Sequence, residues 1–426
     1  MPGWDRRAFL KGLAGAGAGA LLAPGRAQAA PLAAPRSGLA GRFPDLSRHF
    51  AFEYYPWYGG PPDYDHWDYL DRRPPVDISS RYMPRLGAYD VRSREVLEQH
   101  ARWIRDSGVG AVALSWWGQG SWQDQRVHLL MDVFKDHDLK VTFGLENYVA
   151  DRGQRFADDV FYLLREYGEK RRFDAFLLPF DADGSRGPVF KGFRILVEET
   201  QEDCHGRVSP VADHTPDDVW RAQLDRIRRT LRGEFDHVTL LADSIHITRV
   251  LASTFDGIGI YDNFIGPERY AEIADFTSKA GLLFSLNVNP GYDQIEPRNV
   301  PPEDDCYQPA PVAPPAVYDW ARAEERERAA AASAQRVRDS FDATVAVQTD
   351  PRRTNGHRGF FFAYINSFNE WHEGHAFEPM RDAAELTADE RAQGYHNPAR
   401  GDLRLSVLSG LMQGLVSGDD ERPTRF

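Results

Sequence analysis

Two glutamates stand three positions apart in the run Asn366-Ser367-Phe368-Asn369-Glu370-Trp371-His372-Glu373-Gly374. Two close carboxyls resist ionising together, so one of them is driven up in pKa and the pair supplies an acid and a base from one residue type. Glu370 and Glu373 follow an apolar run at 359–367, and a tight loop or helical turn there aims both into one cleft. Hydrolysis of a glycosidic bond needs such a pair, with aromatic platforms for the sugar rings and polar groups for the hydroxyls. One Glu alone in this place reads as a helix cap or an Arg partner; two inside one loop read as catalytic. His372 and His375 flank Glu373 without the His-Glu-x-x-His spacing of a zinc protease, so no metal is expected there. Ser115 lies in Leu-Ser-Trp-Trp, without the glycines of a nucleophile elbow.

Further polar and aromatic residues collect where other apolar runs end. The first such end gives Tyr55 and Trp57, followed by His66-Trp67. Trp117 follows the second run, Glu146 ends the third, Tyr261 ends the sixth, and Tyr292 follows the seventh. With Asn369, Trp371, His372 and Glu378 of the last loop they form the candidate substrate-binding set. Glu146 either orients a sugar hydroxyl or makes a salt bridge. His66 either binds substrate or pins a long loop.

The elements that must carry these residues alternate along the chain. Strands are predicted at 49–57, 110–116, 139–146, 174–180, 237–242, 257–261, 282–287 and 359–367, mostly as continuous apolar runs of the kind buried on both faces in a parallel sheet. Helical periodicity covers 94–107, 124–138, 155–169, 217–232, 267–280, 317–341 and 403–416. Gly108, Gly233 and Gly281 fall just after helices, where a left-handed cap is common. Eight strand–helix units predict an α/β fold, a single-domain (β/α)8 TIM barrel at 48–420 with long βα loops, whose site lies at the C-terminal ends of the strands. A doubly wound open sheet is the alternative. It lacks its phosphate-binding glycine loop, because the first strand leads into Tyr58-Gly59-Gly60-Pro61-Pro62.

Composition narrows the partners. The chain has 426 residues, a net charge of −13 and 12% aromatics. An acidic chain with no basic stripe argues against nucleic acid and against an anionic membrane surface. The arginines at 226–232 sit on one amphipathic helix and read as a solvated face. Residues 1–30 read as a twin-arginine signal peptide: Arg6-Arg7, a short Ala/Gly-rich apolar stretch, then Ala27-Gln28-Ala29 as a cleavage site. That predicts a periplasmic or secreted protein without stable membrane insertion after signal cleavage, with 31–47 as a linker. Cys204 and Cys306 are the two cysteines; their separation neither supports nor excludes a disulfide, and it is not the spacing of a metal site.

The loop Ser367–Gly374 resembles the signature of glycoside hydrolase family 99, the endo-α-mannosidases and endo-α-mannanases. Blocks at 54–59, 66–67, 77–89, 115–117, 139–148, 255–261 and 290–292 agree in the family's order. The resemblance implies a (β/α)8 barrel that cleaves internal α-mannosidic linkages with retention and without metal or cofactor, on an oligo- or polysaccharide. It implies that Glu370 acts as base on the sugar's own 2-hydroxyl, that a 1,2-anhydro sugar forms, and that Glu373 protonates the leaving oxygen. It also implies that Tyr55, Trp117, Glu146 and Tyr261 line the sugar subsites. The chain departs from the family after Gly374, where His375-Ala376-Phe377-Glu378 replaces Thr-Gln-Ile-Glu, and on the rim, where 296–298 reads Glu-Pro-Arg. A non-catalytic glycan-binding barrel and a glycan-transferring enzyme are the competing readings.

Overall fold

A computed structural model describes residues 39–417. Eight parallel strands form its sheet: β1 (Phe50–Tyr54), β2 (Ala111–Trp116), β3 (Lys140–Leu145), β4 (Val189–Gly192), β5 (Thr239–Ala242), β6 (Gly257–Gly259), β7 (Leu283–Ser285) and β8 (Ala363–Ile365). The strands pair in chain order, and β8 returns to pair with β1, Phe50 opposite Ala363. A parallel bridge between Val288 and Ile365, just past the end of β7, closes the circle. The expected (β/α)8 barrel is therefore the observed fold.

Alternation along the strands divides the apolar residues into two cores. Phe52, Val112, Leu114, Phe143, Phe190, Leu240, Ile258 and Phe284 face the surrounding helices. Ala51, Ala111, Ala113, Val189, Leu241, Leu283, Phe362 and Tyr364 fill the barrel. The helices that matter for the site are α1 (Arg94–Asp106), α2 (Val127–Asp136), α3 (Arg152–Leu163), α4 (Asp217–Thr230), α5 (Ile247–Ser253), α6 (Tyr270–Lys279), α7 (Ala323–Thr349) and α8 (Leu403–Ser417). Ser93 caps α1 by accepting from the Val96 amide, and Gly108, Gly233 and Gly281 take the left-handed conformation expected of them.

Three expectations are corrected. The fourth barrel strand is not 174–180. That run makes one parallel bridge, Phe176 to Val141, before Pro179, which has no N–H to continue a ladder. The chain detours, Phe180 bridging Arg186, and returns as β4, where Phe190 pairs with Phe143 further along β3. The long helix α7 starts and ends later than the predicted 317–341; Thr344, Val345 and Val347, poor in intrinsic helix propensity, are held helical by burial. Residues 39–47 are not linker, because Leu39, Phe43 and Leu46 pack into the outer core. The expected leader at 1–30 and residues 31–38 lie outside the described residues. No helix among the described residues is long and apolar enough to cross a membrane.

Candidate active site

The loop after β8 folds back on itself because its backbone is held from several sides. Gly374 sits at φ +69°, and a Cβ there would lie 2.1 Å from the Asp293 carbonyl oxygen, so only glycine lets the loop pass the segment after β7. Asp293 donates its amide to the Glu373 carbonyl at 2.9 Å, and Ile295 donates to that of His372 at 2.8 Å. Arg404 of α8 donates to the carbonyls of Gly374 and Ala376 at 2.8 and 2.9 Å. The Ser367 hydroxyl accepts the Glu370 amide at 2.8 Å. Both glutamates are therefore fixed on a loop braced by β7, β8 and α8.

Around Glu373 the side chains converge. Its Oε2 accepts the Tyr261 hydroxyl at 2.9 Å and lies 2.9 Å from His375 Nε2. Tyr261 is itself placed by its amide, which donates to Asp243 Oδ1, and by its carbonyl, which accepts from the side-chain amides of Asn287 and Asn366. These two amides and Asn263 form a hydrogen-bonded set across the ends of β6, β7 and β8. Glu370 is 2% exposed, and its Oε1 lies 3.7 Å from His372 Nδ1. The Tyr55 hydroxyl is pushed well above its usual range, first by burial and then by the neighbouring Tyr261, Glu53, Glu146 and Glu370.

On one side of Glu370 rings form a wall. Trp57 lies 4.6 Å from Tyr55, 6.0 Å from Trp117 and 6.1 Å from His372, and it stacks on His66 at 4.8 Å. Burial, and then the adjacent His372, bring His66 down to about 3, so it works as a neutral flat ring. Tyr69, half exposed and 5.5 Å from His372, extends the wall outward. Tyr292 packs at 4.6 Å on Phe264 and 6.2 Å from His375, on the far side of Glu373. Glu146 accepts the Ser115 hydroxyl, which in turn accepts the Trp117 indole N–H, each at 2.9 Å. Burial pushes Glu146 up to about 7 against the pull of Ser115, with Glu53 adding to the rise.

Four of the residues expected to touch substrate are buried and hydrogen-bonded within the protein. Trp67, Asn369, Trp371 and Glu378 are fully buried. Glu378 accepts Tyr89 and the Trp371 indole at 2.7 and 3.0 Å and lies 3.3 Å from His100 of α1. Asn369 holds both backbone groups of Tyr55, and Trp67 donates to the Tyr89 carbonyl. These four hydrogen-bond the loop and the segments packed against it.

Sequence reasoning missed the charges inside the barrel. Lys191 of β4 is hydrogen-bonded to Glu53 of β1, and both are buried. Its ammonium also lies 4.1 Å from the centre of the Tyr364 ring. Burial raises the carboxyls of Glu53 and Asp243 even though Lys191 pulls both down. The missing signal is plain: Lys191 lies on the strand that the sequence concealed, and Arg404 reads as one more surface arginine on a helix. Cys204 and Cys306 are disulfide-bonded, which the sequence left open.

With this geometry in hand, comparison with known proteins is informative. The profile of glycosyl hydrolase family 99 matches residues 45–177. Glycoprotein endo-alpha-1,2-mannosidase-like protein of Danio rerio is 27% identical over 375 residues, 79% of this chain and 72% of that protein. Glycoprotein endo-alpha-1,2-mannosidase of Mus musculus is 25% identical over 397 residues, covering 84% and 73% of the two. The solved GH99 endo-alpha-mannosidase of Bacteroides thetaiotaomicron superposes with a TM-score of 0.60 at 20% identity, over 88% of this chain and 99% of that one, and shares its fold. Profile, relatives and barrel agree with the loop motif read from the sequence: the chain is a glycoside hydrolase, similar to those of family 99.

Proposed function

We propose that the chain is a retaining, endo-acting α-mannosidase whose acid–base pair is Glu370 and Glu373. The observation that carries this is the geometry of the β8 loop: Tyr261 and His375 bond Glu373, and Glu370, three positions earlier, lies 3.7 Å from His372 in the cluster of Trp57 and His66 rings. The named activity of the related proteins supports mannose as the sugar.

In the proposed first step Glu370 takes the proton of the sugar's 2-hydroxyl as O2 bonds to the anomeric carbon. The bond to the leaving oxygen breaks, and Glu373 delivers its proton there. In the second step Glu373 removes a proton from water, whose oxygen bonds to the anomeric carbon from the opposite face. The anhydro C1–O2 bond breaks and O2 recovers its proton from Glu370. Two inversions leave the configuration unchanged. Tyr261 and His375 hold the Glu373 carboxyl in place for both transfers, while Trp57, His66 and His372 offer flat faces to the rings. The leader-like residues 1–30 support action outside the cytoplasm.

The test is hydrolysis of α-mannan and α-mannooligosaccharides by wild type, Glu370→Gln and Glu373→Gln, with the product anomer followed by NMR. Wild type is expected to release the α-anomer first, and each variant to lose about 10²–10⁴-fold in kcat while keeping its melting temperature. A substrate carrying 2-deoxymannose at the cleaved position should resist hydrolysis. If it is cleaved normally, the 2-hydroxyl step is wrong.

A further inference from the structure

The loops after β4 and β7 also meet at a hairpin. After β4 the chain forms a two-stranded hairpin, Thr200–Glu202 against Val208–Pro210. Its turn is fixed by Asp203, whose carboxylate accepts the amides of His205 and Arg207 at 2.9 Å each. Cys204 and His205 occupy that turn, and Asp305 and Cys306 come from the loop after β7. The two cysteines are bonded, with Cα atoms 5.7 Å apart. His205 Nε2 lies 2.9 Å from Asp305 Oδ1 beside them.

A disulfide cross-link needs only the two sulfurs. Here each cysteine has a second metal-binding side chain as its chain neighbour, and the four donor atoms all lie within 4.8 Å of one another. Two sulfurs, one imidazole nitrogen and one carboxylate oxygen form the set that tetrahedral zinc accepts, at bond lengths of about 2.0–2.3 Å. We propose that Cys204, His205, Asp305 and Cys306 form a two-state staple, a disulfide when oxidised and a Zn²⁺ site when reduced. In either state the hairpin stays tied to the loop after β7.

The chemistry balances with an external thiol as reductant. Two thiols give two electrons and two protons to the Cys204–Cys306 bond, which becomes two thiols as the reductant becomes a disulfide. Zn²⁺ then displaces both thiol protons, while neutral His205 and ionised Asp305 complete the shell. Cys204, His205 and Asp305 are exposed and Cys306 is partly so, which lets metal and reductant reach the site. The inference does not depend on the proposed glycosidase mechanism.

The experiment uses the full chain, reduced and metal-free, titrated with Co²⁺ and then Zn²⁺. One Co²⁺ per chain is expected, with tetrahedral ligand-field bands and thiolate charge transfer, and with displacement by Zn²⁺ at an apparent Kd of about 50 nM or tighter. His205→Ala and Asp305→Ala should each weaken binding tenfold or more and still form the disulfide on oxidation. The oxidised chain should bind none. Trypsin, cutting after Arg207, should open the hairpin quickly only in the reduced, metal-free form. The proposal is overturned if Co²⁺ shows no thiolate bands, if the oxidised chain binds equally well, or if the His205 and Asp305 variants bind like wild type.

Discussion

The inside of this barrel is built in two manners. At the strand starts the inward positions are apolar, as with Ala51, Ala111, Val189 and Leu283, and they only fill space. Toward the strand ends the same inward alternation delivers Glu53, Lys191, Glu146 and Asp243, all buried. The first set holds the barrel by burial, which tolerates any well-shaped apolar side chain. The second holds it by pairing, and it also sets the electrostatics around Tyr55 and Tyr261. Burying charge is costly unless it is partnered, so the second set behaves as a unit in which each member depends on the others.

That contrast can be pressed hardest at Lys191. Lys191→Met leaves Glu53 buried without its partner and is expected to cost about 3–5 kcal/mol of stability and to lower kcat as well. Thermal unfolding and turnover of the variant measure both. If the double variant with Glu53→Gln remained as unstable as the single one, the pairing account would fail. At the apolar end, Leu283→Ala should cost about 3 kcal/mol through lost burial and a cavity, yet leave kcat at a permissive temperature close to wild type. A parallel loss of kcat would erase the distinction between the two sets.

Glu146 tests the charged end through pH. Its folded pKa of about 7 lies above the ordinary 4.5, so between those values the folded chain holds more proton than the unfolded one. Its contribution is therefore fully present below about pH 4.5, declines as pH rises toward 7, and is gone above that. Glu146→Gln should flatten this decline and gain up to ~3 kcal/mol over wild type at alkaline pH. Denaturant unfolding at several pH values reads the difference, and equal slopes for the two proteins would refute it. The smallest effect is expected at Gly259, where a Cβ would lie 2.9 Å from Lys191 Cδ. Gly259→Ala should shift the lysine stem and cost roughly 1 kcal/mol, measured as a small fall in Tm. No change would mean that Lys191 has room to spare.

Legibility from sequence followed the range of the interaction. The β8 loop could be read because its motif is contiguous, and seven of the barrel strands because their runs are mostly apolar. The fourth strand was hidden for a local reason. Val189-Phe190-Lys191-Gly192 is short and carries a charge, whereas the longer apolar run before it contains Pro179. The burial of Trp67, Asn369, Trp371 and Glu378 was not legible, because motif membership does not tell which side of a loop a side chain faces.

The sequence by itself determined the alternation of buried strands and amphipathic helices, the left-handed glycines after helices, and the Glu370/Glu373 pair in its loop. Each is a matter of neighbours a few positions apart, where backbone geometry fixes who faces whom. Only the tertiary structure decided that Lys191 meets Glu53, that Tyr261 and His375 grip Glu373, that Arg404 braces the loop, and that Cys204 meets Cys306 across a separation of 102 residues. Those partners are brought together by closure of the barrel, and residue type alone carries no record of which distant group will lie within 3 Å.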